Sequence, residues 1–347
     1  MDTFSKEDTN TLKGVAILFM LYFHLFNKLL IGNLYTPLLY VGAKPFAYLF
    51  TSCTYPVDFF IILSGYGLYI SYSNGKRNNF KRNFKLYIHY WITLLIFVSI
   101  GCFIKGYNTY PGGIEKIFLN VTALKTTYNS ETWFIFPYIL LSLSSSIIFK
   151  ILDRFNSILM LAVLFSIALL SMSIVHFYQE YVNNHIITSQ VTSYLSLLFS
   201  FSLGMYAAKY LQYNKMKNHL HNISYKNVWL SVAIILLMCT MMQLQDHHLF
   251  LFQSFYAIIF IFLFLFMDKP KWLNTFLQIM GQRSTSMWLV HTYFCYYLLR
   301  NFIYGFEYPI LIYLVLLACS YLSAIFIDYL NIKVQGNVFR DKNNIGC

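Results

Sequence analysis

Charged side chains are scarce in this sequence: they make up 11% of its 347 residues, against 58% that are hydrophobic. A water-soluble domain carries about a quarter charged residues, so a globule of this size would lack the polar residues to coat itself. The shortage excludes a soluble enzyme and a disordered tail. Acids are the rarer sign, with 13 Asp and Glu against 25 Lys and Arg. The resulting net charge of +12 raises nucleic acid as a partner, which the placement of the cations argues against below. Cysteine is sparse too. Cys53, Cys102, Cys239, Cys295, Cys319 and Cys347 show no C-x-x-C pair and no metal-ligand spacing, so neither a disulfide framework nor a zinc or other metal site is expected. Most of them lie in apolar runs, where a free thiol behaves as a small hydrophobe. No stretch is rich enough in Pro, Gly or Ser for an interdomain linker, and no fixed-period repeat occurs. Residues 1–347 read as one domain.

What the chain has in abundance is continuous apolar sequence, with a mean hydropathy of +0.55. A bilayer crossing needs about 20 mostly apolar residues. Ten such spans are expected, at roughly 12–31, 46–72, 86–104, 133–149, 156–175, 191–208, 228–243, 248–267, 284–300 and 308–330. The runs are long rather than alternating, so they predict helices and an all-α polytopic bundle. The first has a longer apolar run than a signal peptide and no small-residue cleavage site after it, so it is expected to stay in the membrane. The 30 Tyr and 5 Trp suit headgroup-level belts. With both termini on the cytoplasmic side, the inner segments hold 19 Lys and Arg and the outer ones 6. That asymmetry matches the positive-inside rule. It explains the basic balance through membrane topology and lipid contact, without nucleic acid.

Ionisable groups inside spans are costly and are candidates for function by default. Three stand out: His24, Asp58 and His291. At a helical rise of about 1.5 Å per residue, His24 lies roughly 18 Å and Asp58 about 21 Å from the inner side, and His291 about 10 Å. Sequential antiparallel spans at matched depth allow Asp58 to hold the His24 imidazole and raise its basicity. The plainer alternative for each is a side chain satisfied by a neighbouring carbonyl. Ser64-Gly65-Tyr66-Gly67 interrupts span 2, either as a break lining a cavity or as a packing notch. The basic run from Lys76 to Lys85 sets topology and attracts anionic lipid, or offers a phosphate site through Arg82 and Lys85, which share a helical face. Trp133 is either an interfacial anchor or a stacking platform for a sugar ring. Glu131, Asp246, His247 and His248 read as solvated loop polarity.

Several of these residues stand in an order that resembles the acyltransferase 3 family of bacterial integral-membrane acyltransferases. Lys13 and His24 are spaced like the family's Arg and His, with Lys in place of Arg. Val57-Asp58-Phe59-Phe60 through Ser64-Gly65-Tyr66 is similar to its second-span signature. Arg82-Asn83-Phe84-Lys85 stands for its Arg-x-x-Arg, and His89 stands where Pro is usual. Trp133-Phe134 resembles the branch acting on exopolysaccharides, and Gly281-Gln282-Arg283-Ser284 through His291 resembles a late family segment. The resemblance implies a multi-pass enzyme of the bacterial plasma membrane. It would move an acyl group, in the first instance acetyl, from cytoplasmic acyl-CoA to a hydroxyl of a surface or lipid-linked glycan. It implies His24 as general base or transient acyl carrier, with Asp58 orienting it. His291 or Ser64 would line the acyl site, and Lys13, Arg82 and Lys85 would contact the phosphates of acetyl-CoA. The competing class is a transporter or flippase for lipid-linked glycans, which also needs a polar path but no acyl-CoA site.

Overall fold

Lipid offers the backbone no hydrogen-bonding partner, so the apolar runs close their bonds internally as helices. The computed structural model describes residues 3–28, 34–245 and 252–340. In chain order the helices are α1 (Lys6–Phe26), α2 (Phe46–Phe50), α3 (Pro56–Ser73), α4 (Phe80–Lys105), α5 (Ile114–Val121), α6 (Ile135–Arg154), α7 (Ser157–Phe177) and α8 (Gln179–Asn184). They continue with α9 (Ile186–Tyr210), α10 (Tyr213–His221), α11 (Lys226–Gln243), α12 (Gln253–Phe266), α13 (Lys271–Gln282), α14 (Ser284–Thr292), α15 (Arg300–Tyr304) and α16 (Pro309–Arg340). A two-residue hairpin, Tyr40–Val41 against Lys44–Pro45, precedes α2. The chain is an all-α polytopic bundle. Among the described residues, eight segments are helical, long and apolar enough to cross a membrane. Of the ten expected spans, the remaining two are the short apolar helix α12 and the broken segment α14–α15. Asp246, His247, His248 and the ends of two expected spans (29–31 and 248–251) lie outside the described residues.

Local chemistry sets the boundaries that hydropathy blurred. α1 starts at Lys6, ahead of the apolar run, because Ser5 and Asp8 form a reciprocal capping box. It ends at Phe26, earlier than expected, so His24 lies in its last turn. The carbonyls freed at that end need donors. The hydroxyls of Tyr296 and Tyr304 supply them, donating to His24 O and to Leu25 O, the latter at 2.8 Å. Tyr304 lies just past the end of the expected ninth span, and Tyr296 lies inside that span. The span breaks because Tyr293–Tyr297 forms a π-helical turn before α15, and π turns re-aim side chains. α3 starts with Pro56 at its first turn, which puts Asp58 at a helix N-terminus, where a carboxylate is favoured.

Two backbone-to-backbone approaches position the site. A Cβ on Gly65 would lie 2.0 Å from the Phe201 carbonyl oxygen, and one on Gly204 would lie 1.9 Å from that of Ile62. Only glycine permits this seam between α3 and α9. Helix α3 runs unbroken through Ser64-Gly65-Tyr66-Gly67, so the expected interruption is a packing notch. In the same way Gly14 meets Leu277 and Gly281 meets Asn10. That contact seats α13 on α1 and carries α14 against the far end of α1.

Candidate active site

Two cavities lie along α1. The first, of about 180 Å³, is lined by Lys13, Ser64, Arg82, Tyr138, Ser284 and Thr285, with Phe134 and Trp288. Lys13, Ser64 and Arg82 come together here from α1, α3 and α4, so Ser64, expected at the acyl site, lies beside two of the expected phosphate contacts. Lys85 is exposed and is not among the residues lining this cavity; its carbonyl accepts from Gln335 Nε2. Arg82 bears electrostatically on Lys13, and the Tyr138 phenol sits among Ser64, Arg82 and Lys13. Three other cations of the bundle have an acid partner. Lys209 pairs with Asp153 at 2.7 Å, Lys226 with Asp268 at 2.7 Å, and Arg283 with Asp328 at 2.8 Å. Among the described residues, neither Lys13 nor Arg82 has an acid within ion-pair distance. Two like charges without a counter-charge, beside four hydroxyls, fit an anionic group with several oxygens.

The second cavity, of about 260 Å³, is lined by His24, Asp58, Glu131, Trp133, Ser196 and Gln253, again with Phe134 and Trp288. His24 stands eleven positions after Lys13 on α1, which is about 16 Å of helix. His24 is 8% exposed, and its buried Nδ1 makes no hydrogen bond. The nearest acid oxygen is Glu131 Oε2, at 3.7 Å. An imidazole with Nδ1 toward a carboxylate presents Nε2 to a reactant. The expected His24–Asp58 pairing is not what the structure forms. Asp58 Oδ1 accepts from Ser200 and Ser254, the second at 2.8 Å. The α3–α9 seam delivers Ser200 to Asp58, so this carboxylate is already held. Asp58 shares the cavity with His24 without orienting it.

Glu131, read as loop polarity, takes that place. It lies in a 3-10 turn, Ser130–Thr132, stapled to the broken span. Asn129 Nδ2 donates to Leu289 O at 3.2 Å, and Thr292 Oγ1 donates to Asn129 Oδ1 at 2.8 Å. Ser130 N donates to the Tyr297 hydroxyl at 2.9 Å, and Trp288 Nε1 donates to Glu131 O at 3.3 Å. The one sequence signal for Glu131 was its place two residues before Trp133-Phe134. Trp133 lines the second cavity and is 37% exposed.

His291 packs behind His24, with ring centroids 5.0 Å apart. It is nearer to His24 than the depth count suggested, because α14 starts deep beside Lys13. Its Nδ1 lies 2.8 Å from Trp288 O and 3.2 Å from Met287 O. Carbonyls only accept, so Nδ1 carries the proton and Nε2 holds a bare lone pair with no partner. His291 is fully buried and is absent from both cavity walls. It can support the His24 ring but touches no reactant space. His89, where the resembled pattern has Pro, lies within α4. Its Nε2 bonds Ser286 Oγ at 2.8 Å and its Nδ1 bonds Asn331 Nδ2 at 3.1 Å, which ties α4 to α14 and α16.

The family model described as an acyltransferase domain of the acyltransferase 3 type matches residues 7–329. The chain belongs to the acyltransferase 3 family. No curated protein and no solved structure matches it. The family match begins at the start of α1 and runs into α16, so it covers both cavities. This acyltransferase 3 member is a multi-pass membrane acyltransferase.

Proposed function

We propose that the chain is a plasma-membrane O-acyltransferase of a bacterium. It would take an acyl group, acetyl in the first instance, from cytoplasmic acyl-CoA and pass it to a hydroxyl of a surface or lipid-linked glycan. The observation that carries this reading is the pair of cavities in series along α1, one with uncompensated cations and the other with His24 beside Glu131. Lys13, Arg82, Ser284 and Thr285 fit the phosphate oxygens of the donor. The polar lining of the outer cavity, with Asp58, Ser196, Gln253 and Trp133, fits a carbohydrate.

In the reaction, His24 Nε2 takes the proton of the acceptor hydroxyl as its oxygen attacks the thioester carbonyl. Glu131 stabilises the imidazolium across Nδ1. Collapse of the tetrahedral intermediate breaks the carbon–sulfur bond and leaves the new ester. His24 returns the proton to the departing thiolate, so the products are ester and free thiol.

The test is His24→Ala in the full-length chain. Transfer from acetyl-CoA to glycan, read as free thiol released and as O-acetyl content by mass spectrometry, should fall about 1,000-fold. Binding of acetyl-CoA should hold. Transfer at the wild-type rate with normal protein abundance would end the reading.

A further inference from the structure

Phe134 and Trp288 line both cavities, one wall of each. Their ring centroids are 4.2 Å apart at a 32° tilt, and each residue is 6% exposed. The pair therefore stands between the cations and His24. An acyl chain held by a head group at Lys13 and Arg82 must pass this pair to reach the imidazole. The two rings are not equally free. The Trp288 N–H is tied to Glu131 O, so its displacement would disturb the carboxylate beside His24. Phe134 is the N-cap residue of α6. Its phenyl group has no polar tether, so its replacement leaves the Glu131 turn's hydrogen bonds in place.

Resting on the acyl-transfer reading above, we propose that Phe134 is a specificity-determining residue that limits the length of the transferred acyl group. The second cavity, of about 260 Å³, must hold the acyl group together with the acceptor hydroxyl at His24. Phe134 closes that cavity on the donor side. Each methylene added to the acyl group has to be placed against its ring, where a single methylene of misfit costs about tenfold or more in discrimination. Trp288 is the wall tied by a hydrogen bond and Phe134 the wall held by packing alone.

The experiment uses membrane vesicles carrying the full chain, with the host's own membrane glycans as acceptors. Free thiol released from acetyl-, butyryl- and hexanoyl-CoA is measured, with His24→Ala vesicles as the blank. The readout is the butyryl-to-acetyl ratio, which does not depend on how much folded protein each preparation holds. Wild type should prefer acetyl-CoA. Phe134→Ala should raise the ratio about tenfold or more, and Phe134→Leu, which keeps more of the apolar packing, should raise it in the same direction by less. A ratio at the wild-type value in the leucine variant, or a wild-type chain that prefers hexanoyl-CoA, overturns the proposal while acyl transfer stands. No thiol release above the His24→Ala blank from any donor would overturn both readings together.

Discussion

The two cavities draw on the same bundle and balance their charges in opposite ways. The first gathers Lys13 and Arg82 with no acid among the described residues to answer them. The second sets a histidine beside a glutamate and holds its other carboxylate, Asp58, with two serines. A cavity with uncompensated cations is completed by an anion from outside. A cavity with its own base and acid is completed by a reactant that exchanges a proton. On the proposed reaction the contrast would separate binding from chemistry along one helix, α1, which contributes Lys13 to the first cavity and His24 to the second.

Three substitutions sharpen or break that contrast, beyond the two tests already given. The largest effect belongs to Glu131→Gln. It should lower kcat about 100-fold with donor affinity unchanged, because the imidazolium at His24 loses its carboxylate. Single-turnover acyl transfer checks it, and an unaltered kcat would make Glu131 a bystander. Arg82→Ala should raise the KM for acyl-CoA about tenfold with little change in kcat, through loss of a charge-assisted contact. The rise should shrink at high salt as surface charges are screened. A fall in kcat with KM unchanged would break the division between the cavities. The smallest effect is expected of Asp58→Asn. An amide keeps an acceptor for Ser200 and Ser254, so kcat should change by no more than about threefold. A kcat loss as large as that of Glu131→Gln would restore Asp58 as the partner of His24.

Part of the first cavity was legible in the sequence. Lys13 and Arg82 were grouped through the family resemblance, and Arg82 and Lys85 also through their spacing, since a helix maps spacing onto a face. Lys85 was assigned to the same group on that logic; its side chain lies on the exposed surface, since a shared face does not mean a shared cavity. The second cavity was half legible. His24 is conspicuous as an imidazole in an apolar run. Its acid was not found, because Glu131 reaches it through a 3-10 turn pinned by Asn129, Ser130 and Trp288. Such bonds join residues some 160 positions apart and leave no periodic trace. The expected Asp58–His24 pair failed for a related reason. Matched depth shows that two side chains can meet, while Gly65 and Gly204 decide that Ser200 reaches Asp58.

Composition and hydropathy by themselves settled that this chain is a bundle of membrane helices, because a backbone without water has few ways to satisfy its hydrogen bonds. They also marked where the cations and the imidazole fall along the helices. Only the tertiary structure decided which carboxylate faces His24, that His291 is sealed behind it, and that two aromatic rings line both cavities. Those outcomes depend on close approaches between helices distant in sequence, where one glycine or one tyrosine hydroxyl sets how two backbones meet.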